Sequence, residues 1–440
     1  MRLQFTKLMT ACLIVPCLLL LSACTTESML GDDIARQAKA GNADHEAALP
    51  EATRNLLYVT DRAPVEAADG TVSYGAQRAR SVSFGTVLLA AEKQSGQKAI
   101  AGNDVPLHVV STRQIGKFPP SPYSVEITAK GPRRTPAVVT AHEQAAASLQ
   151  AEISRRLAVA KRKEVVVFIH GYNNTFDDAA TSTGDICRTL SSEFVCIVLT
   201  WPAGGSGVFA GYNIDRESGE FAVADLKRVI RIISQTKGLE RLHLIAHSRG
   251  TDVLLSAVQQ LGIEAYASRS SPSLSYKIAN VILFAPDIDL DVAETKLFGV
   301  VSDPDMSFGG KSAPAAAFPP LGALHLTVYS SPNDKAIALS SWLFGSVVRL
   351  GRLSSDSLKE KNVGANSLWE NSELSGIADF IEYDGGAGFI GHSYFLSDRL
   401  VNRDMVALIR DRLKAGDPGR PLVEVKRPFW RVAEAGKLTN

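Results

Sequence analysis

Leu242-His243-Leu244-Ile245-Ala246-His247-Ser248-Arg249-Gly250 is the stretch on which the reading of this chain turns. Leu242–Ala246 is an apolar run of the length of a buried strand, and the residues from Gly250 to Leu261 carry apolar side chains at helical spacing. Between them stands a serine, with alanine two places before it and glycine two places after. A chain that passes from strand to helix across so few residues must kink sharply. Larger side chains at those two flanking places would strike the adjoining strand and helix. The pattern predicts that Ser248 sits on the bend with its hydroxyl raised as a candidate nucleophile. The plainer alternative is that Ser248 only caps the helix that follows.

Outward from this stretch the same grammar repeats. Val165–Ile169, Phe194–Leu199, Ile278–Ala285 and Leu324–Tyr329 are continuous apolar runs, with a weaker one at Phe380–Tyr383. Amphipathic segments lie between them, at Thr175–Leu190, Gly219–Thr236, Gly250–Leu261 and Val292–Val300, and a last one at Asn402–Lys414. Apolar runs alternating with helices predict an α/β fold whose mostly parallel sheet is doubly wound and buried on both faces. Upstream, Asn55–Thr60, Ser81–Leu89, Pro106–Ser111 and Tyr123–Ala129 are short β-rich pieces separated by breakers such as Gly116, Pro119, Pro120 and Pro122. They predict an N-terminal antiparallel β extension over residues 51–135. A helix at His142–Lys161 follows, within a core over residues 136–415. Residues 301–322, rich in Gly, Pro, Ala and Ser, read as an insertion or a lid, and residues 416–440 as a C-terminal tail.

Three further places carry candidate chemistry. His170-Gly171-Tyr172 follows the first core strand, where a turn can aim a backbone N–H at a developing oxyanion; the residue after the nucleophile supplies a second donor. This assigns the backbone amides of Tyr172 and Arg249. Asp334 lies just past the strand Leu324–Tyr329, where a carboxylate can orient an imidazole. Of the eight histidines, only His392 lies downstream of Asp334, on a Gly-flanked loop. His170 belongs to the turn, and His243 and His325 lie inside strands. His247, next to the serine, is expected to point elsewhere. Asp287 and Asp289, after the strand Ile278–Ala285, are alternative acids or caps of the next helix. Trp201 and Pro202 end the second core strand, and the Ala203–Asp215 loop with Phe209 and Tyr212 either walls an acyl pocket or packs down. No H-E-x-x-H and no cysteine–histidine cluster occurs, so neither metal nor cofactor is expected.

Taken jointly, these motifs resemble the α/β-hydrolase superfamily, and more closely a bacterial subgroup of unassigned substrate. The marks are Thr60-Asp61-Arg62, Val167–Asn174, Trp201-Pro202, Ala246–Gly250, Ala285–Asp289, Ser331–Asp334 and Gly391-His392-Ser393. The order Ser248, Asp334, His392 is that of the superfamily's nucleophile, acid and histidine. Arg249 stands where relatives often carry Met or another apolar residue. The resemblance implies a serine esterase or lipase-like hydrolase acting on a small-molecule or lipid ester, or a thioester. Two alternatives use the same scaffold: acyl transfer with the same triad, and a non-catalytic envelope binding protein.

The chain has 440 residues, 45% hydrophobic and 21% charged, with 47 basic against 46 acidic side chains. That balance lacks the basic excess of a nucleic-acid binder. At the N-terminus Arg2 and Lys7 precede an apolar run of about fourteen residues, short for a roughly 30 Å hydrocarbon core but suited to a signal peptide over residues 1–23. Leu21-Ser22-Ala23-Cys24 resembles the bacterial lipoprotein box and implies lipidation of Cys24, with 24–50 a flexible tether. The expected location is the cell envelope, lipid-anchored at the outer membrane on its periplasmic or surface face. Five cysteines are too few for a disulfide scaffold. Cys187 and Cys196 are open to a disulfide or to burial as small hydrophobes.

Overall fold

The computed structural model describes residues 49–66, 71–92, 105–205, 208–303, 324–344, 348–356, 377–385 and 392–433. The expected signal peptide, Cys24, most of the tether and all but the first three residues of the 301–322 insertion lie outside the described residues.

Strands β1 (Asn55–Glu66), β2 (Val72–Ala91) and β3 (Leu107–Lys117) come first, then a separate hairpin of β4 (Val125–Thr128) and β5 (Gly131–Arg134). Helix α1 (Pro136–Val159) starts six residues before the expected His142, because Thr135 accepts a hydrogen bond from the Val138 amide and Pro136 fits the first turn. Strands and helices then alternate: β6 (Glu164–Ile169), α2 (Phe176–Thr189), β7 (Val195–Thr200), α3 (Val208–Ser234), β8 (Arg241–His247) and α4 (Gly250–Ala267). They continue as β9 (Ile278–Phe284), α5 (Leu290–Ser302), β10 (His325–Ser330), α6 (Lys335–Phe344), β11 (Ala378–Glu382) and α7 (Arg399–Ile409). Last come β12 (Leu422–Lys426) and β13 (Phe429–Val432).

Eleven of these strands form one sheet in the order β12-β13-β11-β10-β9-β8-β6-β7-β1-β2-β3. All neighbours from β13 to β1 pair parallel, and antiparallel pairs occur only at the two ends. The alternation of side chains explains why the central strands are apolar throughout. Val165, Val167 and Ile169 of β6 pack with α1, α3, α4 and α5, whereas Val166 and Phe168 pack on the other face with α2 and α7. The fold is therefore the expected mixed α/β architecture with a large, mostly parallel sheet.

Two further segments differ from the sequence reading. Residues 422–432 are no tail: β13 pairs parallel with β11 and extends the sheet. Phe429 and Trp430 are buried there, and Phe429 stacks on Phe380 with ring centroids 5.1 Å apart. Secondly, α3 begins at Val208 rather than Gly219, so Tyr212 stands on a helix and not on a loop.

From β6 the chain goes to β7 on one side and then crosses to β8 on the other. Such a reversal opens a crevice at the carboxyl ends of β6 and β8, where open α/β sheets bind ligands. His170-Gly171-Tyr172 follows one of those ends and Ser248 the other.

Candidate active site

Ser248 occupies the bend between β8 and α4 with φ +51°, a left-handed conformation that costs a non-glycine residue roughly 1–2 kcal/mol. Surrounding bonds hold it there. Its N–H donates to Phe284 O at 3.0 Å, and its carbonyl accepts from the amides of Thr251 and Asp287 at 3.1 and 3.2 Å. The Thr251 hydroxyl adds a bond of 2.6 Å to the same carbonyl. The close approach of the neighbouring turn sets the residue types around the bend. A β-carbon on Gly250 would lie 2.1 Å from the His170 carbonyl oxygen, and one on Gly171 would lie 2.7 Å from Ser248 Cβ. Neither clash can be relieved by a side-chain rotation alone.

His392 and Asp334, 58 residues apart in the chain, meet at this rim. His392 Nδ1 lies 2.7 Å from Asp334 Oδ2. Since a carboxylate only accepts, the imidazole carries its proton on Nδ1 and leaves Nε2 as the basic nitrogen. The other oxygen of Asp334 accepts from the Ile337 amide at 3.0 Å at the start of α6. The carboxylate, about 1% exposed, is thereby fixed on both sides. Behind it, Tyr394 donates to the carbonyl of Tyr329 at 3.0 Å and stacks on Tyr383, which ties the residues after His392 to the end of β10.

The turn His170–Asn174 is held by side chains from several separate segments. His170 is fully buried and stacks on Trp201, with 5.1 Å between ring centroids and 8° between planes. The Trp201 amide donates to His170 Nε2 at 3.1 Å, its indole N–H donates to the His170 carbonyl at 2.9 Å, and His170 Nδ1 donates to Gly171 O. Burial and then the nearby Arg62 charge push the His170 pKa down to about 3, so the ring stays neutral. Arg62, also buried, donates to the carbonyls of Asn174 and Ala203 at 2.7 and 2.9 Å and to that of Gly75 at 3.1 Å. Burial lowers its pKa to about 10 against the pull of Asp61 and Asp215, so it remains cationic at neutral pH. Asp215 on α3 accepts from the amides of Asn173, Gly204 and Gly205. Trp201 thus supports the turn.

The alternative acids are engaged elsewhere. Asp289 caps α5, accepting from the amides of Asp291 and Val292. Asp287 accepts from the hydroxyls of Tyr212 and Ser340, both at 2.7 Å, with Arg349 at 3.5 Å. The Tyr212 ring lies 5.3 Å from that of Tyr172. Arg249 is buried against Asp252 at 2.7 Å, and Lys296 bonds the other oxygen of that carboxylate. Contrary to the expectation that it points elsewhere, His247 lies with its ring 4.7 Å from the ring of His392. Cys187 and Cys196 are joined by a disulfide between α2 and β7. Among the described residues, no group of three or more His, Cys, Asp or Glu side chains is placed to hold a metal ion.

Comparison with known proteins places this geometry in context. No curated protein matches the chain. Among solved structures, a predicted CIB-like hydrolase from Thermoplasma acidophilum is 14% identical, aligning over 57% of this chain and 88% of its own, with a TM-score of 0.30. A Pyrobaculum calidifontis esterase, also 14% identical, aligns over 57% of this chain and 78% of its own at a TM-score of 0.27. A lipase-esterase related protein from Clostridium acetobutylicum is 10% identical over 57% of this chain and 96% of its own, with a TM-score of 0.29. Residues 145–412, from within α1 to beyond α7, match the family described as alpha/beta hydrolase of unknown function (DUF900), and the chain belongs to that family.

Proposed function

We propose that this alpha/beta hydrolase cleaves a carboxylic ester or thioester through an acyl-enzyme, with Ser248, His392 and Asp334 as its triad. The observation that carries the reading is the 2.7 Å hydrogen bond between His392 Nδ1 and buried Asp334. It lies in a loop whose carbonyl is bonded to His247, the residue joined to Ser248. Ser248 Oγ attacks the carbonyl carbon as His392 Nε2 takes its proton. Asp334 keeps the imidazole in the required tautomer and offsets the charge it gains. The amides of Tyr172 and Arg249 receive the oxyanion, each donor being worth about 3–4 kcal/mol in the transition state. His392 returns the proton to the departing oxygen or sulfur, and water then releases the acyl group by the same steps, restoring Ser248.

The substrate class is a small-molecule or lipid ester. The Leu21-Ser22-Ala23-Cys24 pattern supports lipid attachment at Cys24 and an outer-membrane location, on the periplasmic or surface face. Cys24→Ala is then expected to move the protein out of the membrane fraction. The test of the chemistry is a panel of short- and long-chain acyl esters offered to the wild type and to Ser248→Ala. Turnover at least about 10³-fold lower in the variant supports the proposal. No turnover of any ester by the wild type, or equal turnover by both proteins, overturns it.

A further inference from the structure

We infer that His247 is a positioning residue of this site, a bracket that sets the distance between the serine bend and the loop carrying His392. The inference rests on the Ser248–His392–Asp334 reading and adds to it a fourth side chain with a mechanical task. Three contacts of one imidazole carry it. His247 precedes Ser248 in the chain, so its ring is attached next to the bend. Its Nε2 lies 3.2 Å from the carbonyl oxygen of His392. A carbonyl only accepts, so His247 Nε2 carries the hydrogen and donates it. Its Nδ1 would come within 3.3 Å of a β-carbon on Gly171, which puts the same ring against the turn that bears the Tyr172 amide. Nucleophile, base loop and oxyanion turn therefore meet on one side chain.

The ring has little freedom to relax. Phe395 packs on it with 4.6 Å between centroids, Phe395 stacks on Phe284 at 4.9 Å, and Phe168 closes the group at 6.0 Å. This aromatic group is anchored in β6 and β9, the strands on either side of β8. It transmits the rigidity of the sheet to the loop after residue 392. Burial, and then the neighbouring His392, hold the His247 pKa well below its ordinary value, so the ring keeps a single donor and adds no charge beside the imidazolium that forms on His392. A misplacement of about 1 Å between catalytic groups costs on the order of 10²-fold in rate. A ring that loses its hydrogen bond but keeps its packing should cost a large part of that.

The experiment compares His247→Phe, which keeps an aromatic ring and deletes the donor, with His247→Gln, whose amide reaches about as far as Nε2–H. The full-length protein is assayed on an activated ester alongside Ser248→Ala, with a thermal melt for each variant. The expected result is a 10- to 100-fold fall in kcat for His247→Phe with KM within twofold and the melting temperature within a few degrees. His247→Gln should recover at least half of the lost rate on a logarithmic scale. Retention of kcat within twofold by His247→Phe overturns the inference. So does equal loss in both variants accompanied by a matching loss of melting temperature, which marks the ring as core packing only. If Ser248→Ala itself keeps wild-type turnover, it is the serine reading that fails, and the two failures are told apart.

Discussion

At the residue scale, the two candidate carboxylates differ in what each already binds. Asp334 gives one oxygen to His392 and the other to a helix amide, whereas both oxygens of Asp287 are taken by Tyr212 and Ser340. Asp334→Asn is therefore expected to lower kcat by about 10⁴-fold while the protein stays folded. Asp287→Asn should change kcat by less than about tenfold and act mainly on stability, by the roughly 1–3 kcal/mol of a perturbed buried network. Steady-state kinetics and melts on the pair check both. A different carboxylate is expected to contribute to acid stability. Burial alone would raise the pKa of Glu164, but hydrogen bonds from His243 and Arg412 overcome it and bring the value down to about 2. A carboxylate depressed in the folded state stabilises above its unfolded pKa near 4.5, and the stabilisation fades as pH falls toward 2. At about 1.4 kcal/mol per unit, the gap between wild type and Glu164→Gln is on the order of 3 kcal/mol at neutral pH. Urea titrations should show the gap constant from pH 7 to 6 and closing between about pH 5 and 2. Ser248, Asp334 and His392 stood out as candidates in the sequence because each follows an apolar run, the weakest being the one before His392. Arg62, Asp215 and His247 could not be assigned, because their contacts join separate segments, some of them more than 100 residues apart.

At the scale of elements, the bend between β8 and α4 is where local sequence and tertiary contact agree most closely. Gly250 is required by a neighbouring carbonyl, not only by its own turn. Gly250→Ala is expected to destabilise the protein by more than about 3 kcal/mol or to prevent folding, since overpacking against a fixed backbone has no relaxed solution. Ala246→Gly, on a strand residue whose methyl is already accommodated, should cost no more than about 1 kcal/mol. Chemical denaturation of the two variants separates these expectations. The continuous apolar strands were legible because burial on both faces leaves no ambiguity of pattern. The ends of elements were less so. Helix α3 starts early because Asp215 binds three backbone amides of two loops, an anchor that periodicity does not register. Strands β12 and β13 are short and separated by Arg427-Pro428. What makes them strands is the exposed edge of β11 and the pocket for Trp430, whose indole donates to Asp379 at 2.8 Å.

At the scale of the whole molecule, the N-terminal extension is joined to the site by one buried side chain. Arg62 on β1 donates to a carbonyl on β2, one after β7 and one in the turn after β6. It fixes the turn after β6 relative to a strand about 110 residues upstream. Arg62→Met fills much of the volume but leaves three carbonyls, one buried and two partly buried, without this donor. The expected loss is about 3–5 kcal/mol of stability, together with a lowered kcat, and thermal melts with kinetics on the same preparation check it. The extension was visible in the sequence as β-rich pieces, and Thr60-Asp61-Arg62 stood out as a mark of the resemblance. That the arginine braces the site required the fold.

The most direct measurement is covalent: the full-length protein is treated with a fluorophosphonate, digested and mapped by mass spectrometry. The account predicts a single adduct on Ser248, formed far more slowly in Asp334→Asn and absent in folded His392→Ala. An adduct on another serine, or undiminished labelling of Ser248 without His392, would contradict it.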